Sequence, residues 1–178
     1  MGISTIHRIS ELAENSIIKF EKKQYISSCI LTRSLMESTG VLYWLKSKIS
    51  RSIEDEDLAG IDNFLMRGMF GFKKVETTEE ALSCLTAVQK IDKEHSGYFT
   101  YYEMLSEYTH PNFSGTIGSF SQTNKENYTI KFAPYQDKED WTFILNPLSF
   151  SLAIVIETSQ GLEGMLSDFI ELCNKNLN

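Results

Sequence analysis

The chain has 178 residues, with 24 acidic against 17 basic side chains, a net charge of −7, and a composition 42% apolar and 12% aromatic. That is too apolar for intrinsic disorder and long enough for one compact domain over residues 1–178. The acidic balance argues against non-specific binding of DNA or RNA, which depends on neutralising phosphates.

The first hundred residues read as helices. The opening MGISTIHRISELAENS lacks the apolar region of a secretory signal, so a cytoplasmic protein is expected. A first helix is predicted over about 4–20, with Ile6, Ile17, Ile18 and Phe20 as its apolar contacts. A longer one follows over about 22–49. Ile26, Ile30, Val41 and Trp44 share one face of it, and Leu31, Leu35, Leu42, Leu45 and Ile49 share another. A helix apolar on two faces belongs at the centre of a bundle. Arg33 and Glu37 fall in the middle of its first apolar face, four residues apart, where they can pair. Two readings stay open: an internal ion pair that orients helices, or part of a site.

The acidic run Glu54 to Asp57 suits the first turn of a third helix continuing to Met66, and RGMFGFKK, carrying Met69, Phe70 and Phe72, reads as a loop. Thr77 and Glu80 have capping-box spacing, which predicts a helix from there to about Asp92. Gly97 separates it from an aromatic helix over 98–109, ended by His110-Pro111. Its tyrosines, Tyr102 among them, form either core or a ligand cage. Glu107 can reach toward His110, and Asn112 suits a turn. Ser106, Glu107, His110 and Asn112 therefore make either a well-specified helix stop or an imidazole poised for acid–base work.

Alternation at period two in Tyr128, Ile130 and Phe132 predicts a β-hairpin within about 116–132, which must dock on the helices because a lone hairpin is marginal in water. The last helix is predicted to start at the Asn146-Pro147 cap. Its stripe of Leu148, Leu152, Val155, Ser159, Leu162, Leu166 and Ile170 demands cover, from this chain or a second copy. Gly161 and Gly164 within it suggest close packing or a kink. The longest apolar stretch, 143–156, is broken by Asn146, Pro147, Ser149 and Ser151, so no membrane span is expected. Cys29, Cys84 and Cys173 are far apart with apolar flanks, and read as buried free thiols rather than disulfides or metal ligands. No phosphate-loop, nucleophile-elbow or zinc motif occurs, and no cofactor or metal is expected. The fold class is mainly α: an antiparallel helical bundle with a β-hairpin inserted before the C-terminal helix.

Two stretches, RSLMESTGVLYWL (33–45) and YYEMLSEYTHPNFSGTIGSF (101–120), resemble signatures of uncharacterised prokaryotic proteins related to the HEPN superfamily. In those an Arg-Ser-x-x-Glu helix precedes a Leu-Ser-Glu-x-x-His-Pro-Asn turn and a glycine. The resemblance implies a helical bundle, commonly dimeric, from stress, toxin–antitoxin or defence systems. Active HEPN proteins are metal-independent RNases with an Arg-x4-6-His motif; others are binding modules. This chain lacks that motif. Lys90 and His95 come nearest, and lysine does not offer the planar fork of arginine. The residues that match the pattern are Arg33, Glu37, Ser106, Glu107, His110, Pro111 and Asn112; of these Arg33, Glu37 and His110 are the candidate catalytic residues, and Ser106, Glu107 and Asn112, with Tyr102 of the aromatic helix, are the candidate binding residues. The expected partners are RNA or a nucleotide and a second copy of the chain. The alternative is a non-enzymatic module, of immunity or antitoxin type, that binds a protein.

Overall fold

The structure is a computed structural model, which describes residues 1–71, 81–132 and 140–176. Helices α1 (Gly2–Glu21) and α2 (Tyr25–Asp55) form an antiparallel pair, reversed at Lys23 in the left-handed region (φ 56°). The inner line of α1 is Ile9, Ala13 and Ser16, whereas Ile6 and Ile17, expected as contacts, are exposed. Small residues decide this, because they let the helices close on a set of hydroxyls. Ser16 Oγ lies 2.7 Å from Thr32 Oγ1 and 3.0 Å from Ser28 Oγ, and Ser28 Oγ donates to the Ser16 carbonyl at 2.9 Å. All three residues are fully buried.

Helix α2 is central. It packs against α1, α3 (Ala59–Phe70), α4 (Cys84–Asp92), α5 (Tyr98–Thr109) and α6 (Leu145–Asn176). Gly40 lies where α4 crosses, and a Cβ there would come within 2.8 Å of the Ala87 backbone. The acidic run does not open α3. Glu54 and Asp55 finish α2, Glu56 caps it with φ 52°, and Asp57 accepts from the Ala59 amide at 3.0 Å. The apolar contacts Ile61 and Phe64 carry α3 on through Phe70, so residues 67–70 of the expected loop are helical. Phe72, Thr77 and Glu80 lie outside the described residues. Helix α4 begins only at Cys84, because Ser83 caps it by accepting from the Thr86 amide at 3.2 Å.

Helix α5 spans its predicted range, and its aromatic stripe is core. Tyr98 is fully buried, with its hydroxyl 2.9 Å from Ser151 Oγ. A π-helical turn (Ser114–Gly118) follows, so the hairpin starts later than expected, pairing β1 (Ser121–Asn124) with β2 (Thr129–Phe132) from Ser121↔Phe132 to Asn124↔Thr129. The hairpin does not lie down on the helices. It adjoins the π turn, Ser121 is buried, and every residue of β2 is exposed, with Phe132 at 76%, as is Tyr128 in the turn before it at 92%.

A 3-10 turn (Trp141–Ile144) leads directly into α6. Its cap is Asp140, which accepts from the Thr142 amide at 3.0 Å, rather than Asn146. The fully covered line of α6 runs through Leu148, Ser151, Ile154 and Thr158. Of the predicted stripe, Leu148 lies on that line and the other residues lie beside it. Leu152, Val155 and Leu162 pack on Ile9, Ala13, Leu35 and Leu42, while Leu166 and Ile170 are about half exposed. Gly161 meets only the stem of Lys46 and Gly164 meets nothing, so neither is a close helix contact. By length and composition, the segment Trp141–Asn176 does reach the level of a membrane-crossing helix, with mean hydropathy 1.3 over its best window, although run length suggested none. A third of that window is buried inside the protein. Of the thiols only Cys29 is buried, and burial pushes it up to about 12; Cys84 and Cys173 are half-buried.

Leu35 lies in the fully enclosed part of this core and Leu166 in its uncovered part. Leu35→Ala is expected to cost about 2–5 kcal/mol in urea denaturation. Leu166→Ala in dilute protein is expected to stay within about 0.5 kcal/mol.

Candidate functional site

Arg33 and Glu37 occupy successive turns of α2 on the side facing α5. Each side chain is only about a quarter exposed (28% and 24%), and Arg33 Nη2 lies 3.3 Å from Glu37 Oε1. Tyr102 joins them from α5. Its hydroxyl accepts from Arg33 Nη2 at 2.7 Å and donates to Glu37 Oε1 at 2.8 Å. The guanidinium also lies against the Tyr102 ring, 4.9 Å from its centroid. Burial, and then the bond to Glu37, raise the Tyr102 pKa, with Arg33 acting in the opposite direction. Tyr102 therefore keeps its proton at neutral pH and stays a donor to the carboxylate. Arg33 Nε is buried with no hydrogen-bond partner. An unmatched buried donor costs about 1–3 kcal/mol, a sign that this group is placed for more than stability.

The remaining candidates form a separate group at the end of α5. Ser106 Oγ donates to the Tyr102 carbonyl at 2.7 Å. Glu107 accepts from Asn112 Nδ2 at 3.0 Å rather than pairing with His110, and Asn112 Oδ1 accepts from the Gly115 amide at 2.9 Å. Thr116 Oγ1 donates to the Asn112 carbonyl. His110 is the exposed C-cap of α5, eight residues beyond Tyr102 and so about 12 Å further along the helix axis. The glycine after the motif has a steric reason: a Cβ on Gly115 would run into the His110 carbonyl oxygen. The His-Pro-Asn stretch thus builds a helix stop and the π turn after it. It does not bring an imidazole to Arg33 and Glu37.

Lys90 and His95 do not form an alternative pair. Lys90 Nζ lies 4.9 Å from the centroid of the Trp44 ring, and burial lowers its pKa. His95 is held edge-on to Tyr43 and Phe150, with Nε2 3.9 Å from Glu157.

Glu37 also faces a cleft of about 160 Å³ between α1, α2 and the start of α4, lined by Thr5, Arg8, Glu37, Ser38, Val41 and Cys84. Arg8 Nε donates to Ser38 Oγ at 3.1 Å. Arg8, Ser38 and Cys84 carry no motif. They reach Glu37 only through the register of α1 against α2 and the crossing of α4 at Gly40, which local spacing does not encode. The site can bind an anion or a polar ligand through guanidinium and carboxylate. Among the described residues no cluster of His, Cys, Asp or Glu could hold a metal ion.

Compared with family models, curated proteins and solved structures, this chain has no match in any of the three. The resemblance to HEPN proteins rests on the two motifs alone.

Two outcomes test this geometry. Gly115→Ala should lower stability by about 1–3 kcal/mol in urea denaturation, since the His110 carbonyl must move. Arg33→Met and Glu37→Gln should each cost about 1–3 kcal/mol, and the double variant should cost less than their sum by about 0.5–3 kcal/mol. Strict additivity in this cycle would show that Arg33, Tyr102 and Glu37 do not act as a unit.

Proposed function

We propose that the protein is a HEPN-like prokaryotic stress or defence protein of the cytoplasm that binds RNA or a nucleotide without cleaving it. The observation that carries this reading is the Tyr102 hydroxyl bridging Arg33 and Glu37 at the edge of the Arg8 cleft. Arginine is suited to phosphate, and a fixed carboxylate accepts from the amino edge of a base. Two features support binding rather than hydrolysis. The chain lacks the Arg-x4-6-His motif, and His110 stands about 12 Å along α5 from Tyr102, committed to the helix stop. Among the described residues no imidazole stands beside Arg33, and Glu37, the carboxylate there, is held by the Tyr102 hydroxyl and the guanidinium rather than left open to a ribose hydroxyl.

A second reading, a protein-binding module, is favoured by the exposed apolar side chains of the hairpin, Tyr128, Ile130 and Phe132. Leu166 and Ile170 support self-association along α6.

Fluorescence anisotropy with labelled mononucleotide and short RNA should give saturable binding that Arg33→Met weakens at least 10-fold at a temperature where circular dichroism shows that variant folded, with the RNA intact on a gel. Absence of binding, or equal affinity in Arg33→Met, would overturn the reading. RNA cleavage by the wild type would overturn its non-hydrolytic part. Light scattering on the same samples reports the mass, and a monomer at tens of micromolar removes self-association.

A further inference from the structure

Four cations gather near the far end of α2, in a chain whose net charge is −7. On α2 itself, Trp44, Lys48 and Arg51 recur at spacings of four and three and so share one face. Helix α4 runs along that face. Ala87 packs against Gly40, and Lys90, a turn further on, places Nζ 4.9 Å from the centroid of the Trp44 ring. Lys93 caps α4 beyond it. Burial lowers the Lys90 pKa, and repulsion by Lys93, Lys48 and Arg51 lowers it further, which marks the four as neighbours.

These charges are unspent. Among the described residues none of the four has a carboxylate oxygen within 4.0 Å, and Asp55, a turn past Arg51, makes no ion pair with it. Arg51 and Lys93 are exposed, and Lys48 and Lys90 are half-buried. In the cavity of about 250 Å³ beside Arg51, the two carboxylates have hydroxyls to face instead. Glu54 accepts from Ser50 at 2.8 Å, and Glu94 stands by the Tyr43 hydroxyl, whose pKa is raised by burial and then by Glu94. Like charges crowded without carboxylates cost stability, and a polyanion supplies the missing counter-charge. Lysine meets phosphate as a point charge and needs no fixed fork to do so.

The position of the cluster says which polyanion. Arg33 and Arg51 are about five helical turns apart, so the group of Arg33 and Glu37 lies on the same line of α2 as Lys48 and Arg51. Lys48 stands about 17 Å and Arg51 about 21 Å along the axis from Glu37. A mononucleotide held at Glu37 does not reach them. A strand rising about 3.4 Å per stacked nucleotide covers the longer distance in about six nucleotides, passing beside α4.

We infer that Lys48, Arg51, Lys90 and Lys93 form a second contact surface, which holds the phosphodiester backbone of an RNA strand with one nucleotide at Arg33 and Glu37. The inference rests on the nucleotide-binding reading above and narrows its ligand from a mononucleotide to a strand. The surface positions the strand through its phosphates and reads no base.

Fluorescence anisotropy of the full chain with labelled AMP and a labelled single-stranded decaribonucleotide, across a salt series, tests it. The decamer should bind at least 10-fold more tightly than AMP at low salt. The double variant Lys48→Gln/Arg51→Gln should weaken the decamer at least 10-fold and leave AMP binding unchanged. It should also flatten the dependence of log Kd on log salt by about 1.4, at about 0.7 for each cation removed. Lys93→Gln should act in the same direction, flattening the slope by about 0.7. A decamer no tighter than AMP overturns the surface and leaves the nucleotide-binding reading standing. So does a decamer whose affinity and slope ignore both variants but fall in Arg33→Met, measured where that variant is folded. A decamer lost in the double variant but indifferent to Arg33→Met upholds the surface and overturns the reading at Arg33. Failure of both ligands to bind overturns both. Displacement of the decamer by an equal concentration of decaglutamate overturns the assignment to RNA and makes the face a contact for an acidic protein. Circular dichroism checks the double variant; should it unfold, Lys93→Gln, at an exposed cap, decides instead.

Discussion

Helix α2 runs 31 residues with other helices packed along it, and its polar groups must find partners inside the protein. A buried hydroxyl or charge left unmatched costs about as much as a helix cap or a small core cavity contributes, so each polar residue on α2 dictates something about a neighbour. Ser28 and Thr32 dictate Ser16 on α1. Ser38 dictates Arg8, also on α1. Met36, through its carbonyl, receives the Tyr98 hydroxyl at 3.4 Å, and Arg33 with Glu37 receives that of Tyr102. The register of α1 and α5 against α2 is therefore set by hydrogen bonds as well as by the fit of apolar side chains. Apolar contacts alone tolerate sliding far better.

That division explains what could be read from the chain directly. The helical bundle, the central place of α2, the range of α5 and the existence of a hairpin follow from apolar period and from strong stop signals such as His110-Pro111. The pairing of Arg33 with Glu37 follows from their spacing. What could not be read depends on registers between helices. Ile6 and Ile17 are as apolar as Ile9, and only the Ser16–Ser28–Thr32 contact decides which side of α1 turns inward. The stripe on α6 holds at Leu148, Leu152, Val155 and Leu162, but the fully covered line was not legible for the same reason: Ser151 and Thr158 look solvent-facing by composition, yet they are buried, and Ser151 meets the Tyr98 hydroxyl. Boundaries failed where two acceptable caps competed. Ser83 caps α4, with residues 81–83 not helical, and Asp140 stands in front of the Asn146-Pro147 pair.

The candidate site divides in the same way. Arg33, Glu37 and Tyr102 come together, and the last of these connects through a hydroxyl that an aromatic stripe would otherwise hide as core. The Ser106, Glu107, His110 and Asn112 group has the residue types of acid–base chemistry, but local hydrogen bonds use most of them. Glu107 and Asn112 spend their polar atoms on each other and on the Gly115 amide. A motif rich in polar residues can thus be rich for the sake of chain geometry. The tight turn it builds, with no room for a Cβ at Gly115, redirects the backbone from α5 into the hairpin.

The hairpin bears on how the protein can change over time. Its two strands bond to each other, and β2 buries none of its side chains. Its opening is therefore only weakly linked to melting of the bundle, and belongs to the low-stability end of the local unfolding spectrum. Sequence there is nearly free of the constraints that hold Ser16, Gly40 or Tyr98 in place. Selection can reshape Tyr128, Ile130 and Phe132 to suit whatever they meet, while the helices and the cleft between them stay as they are.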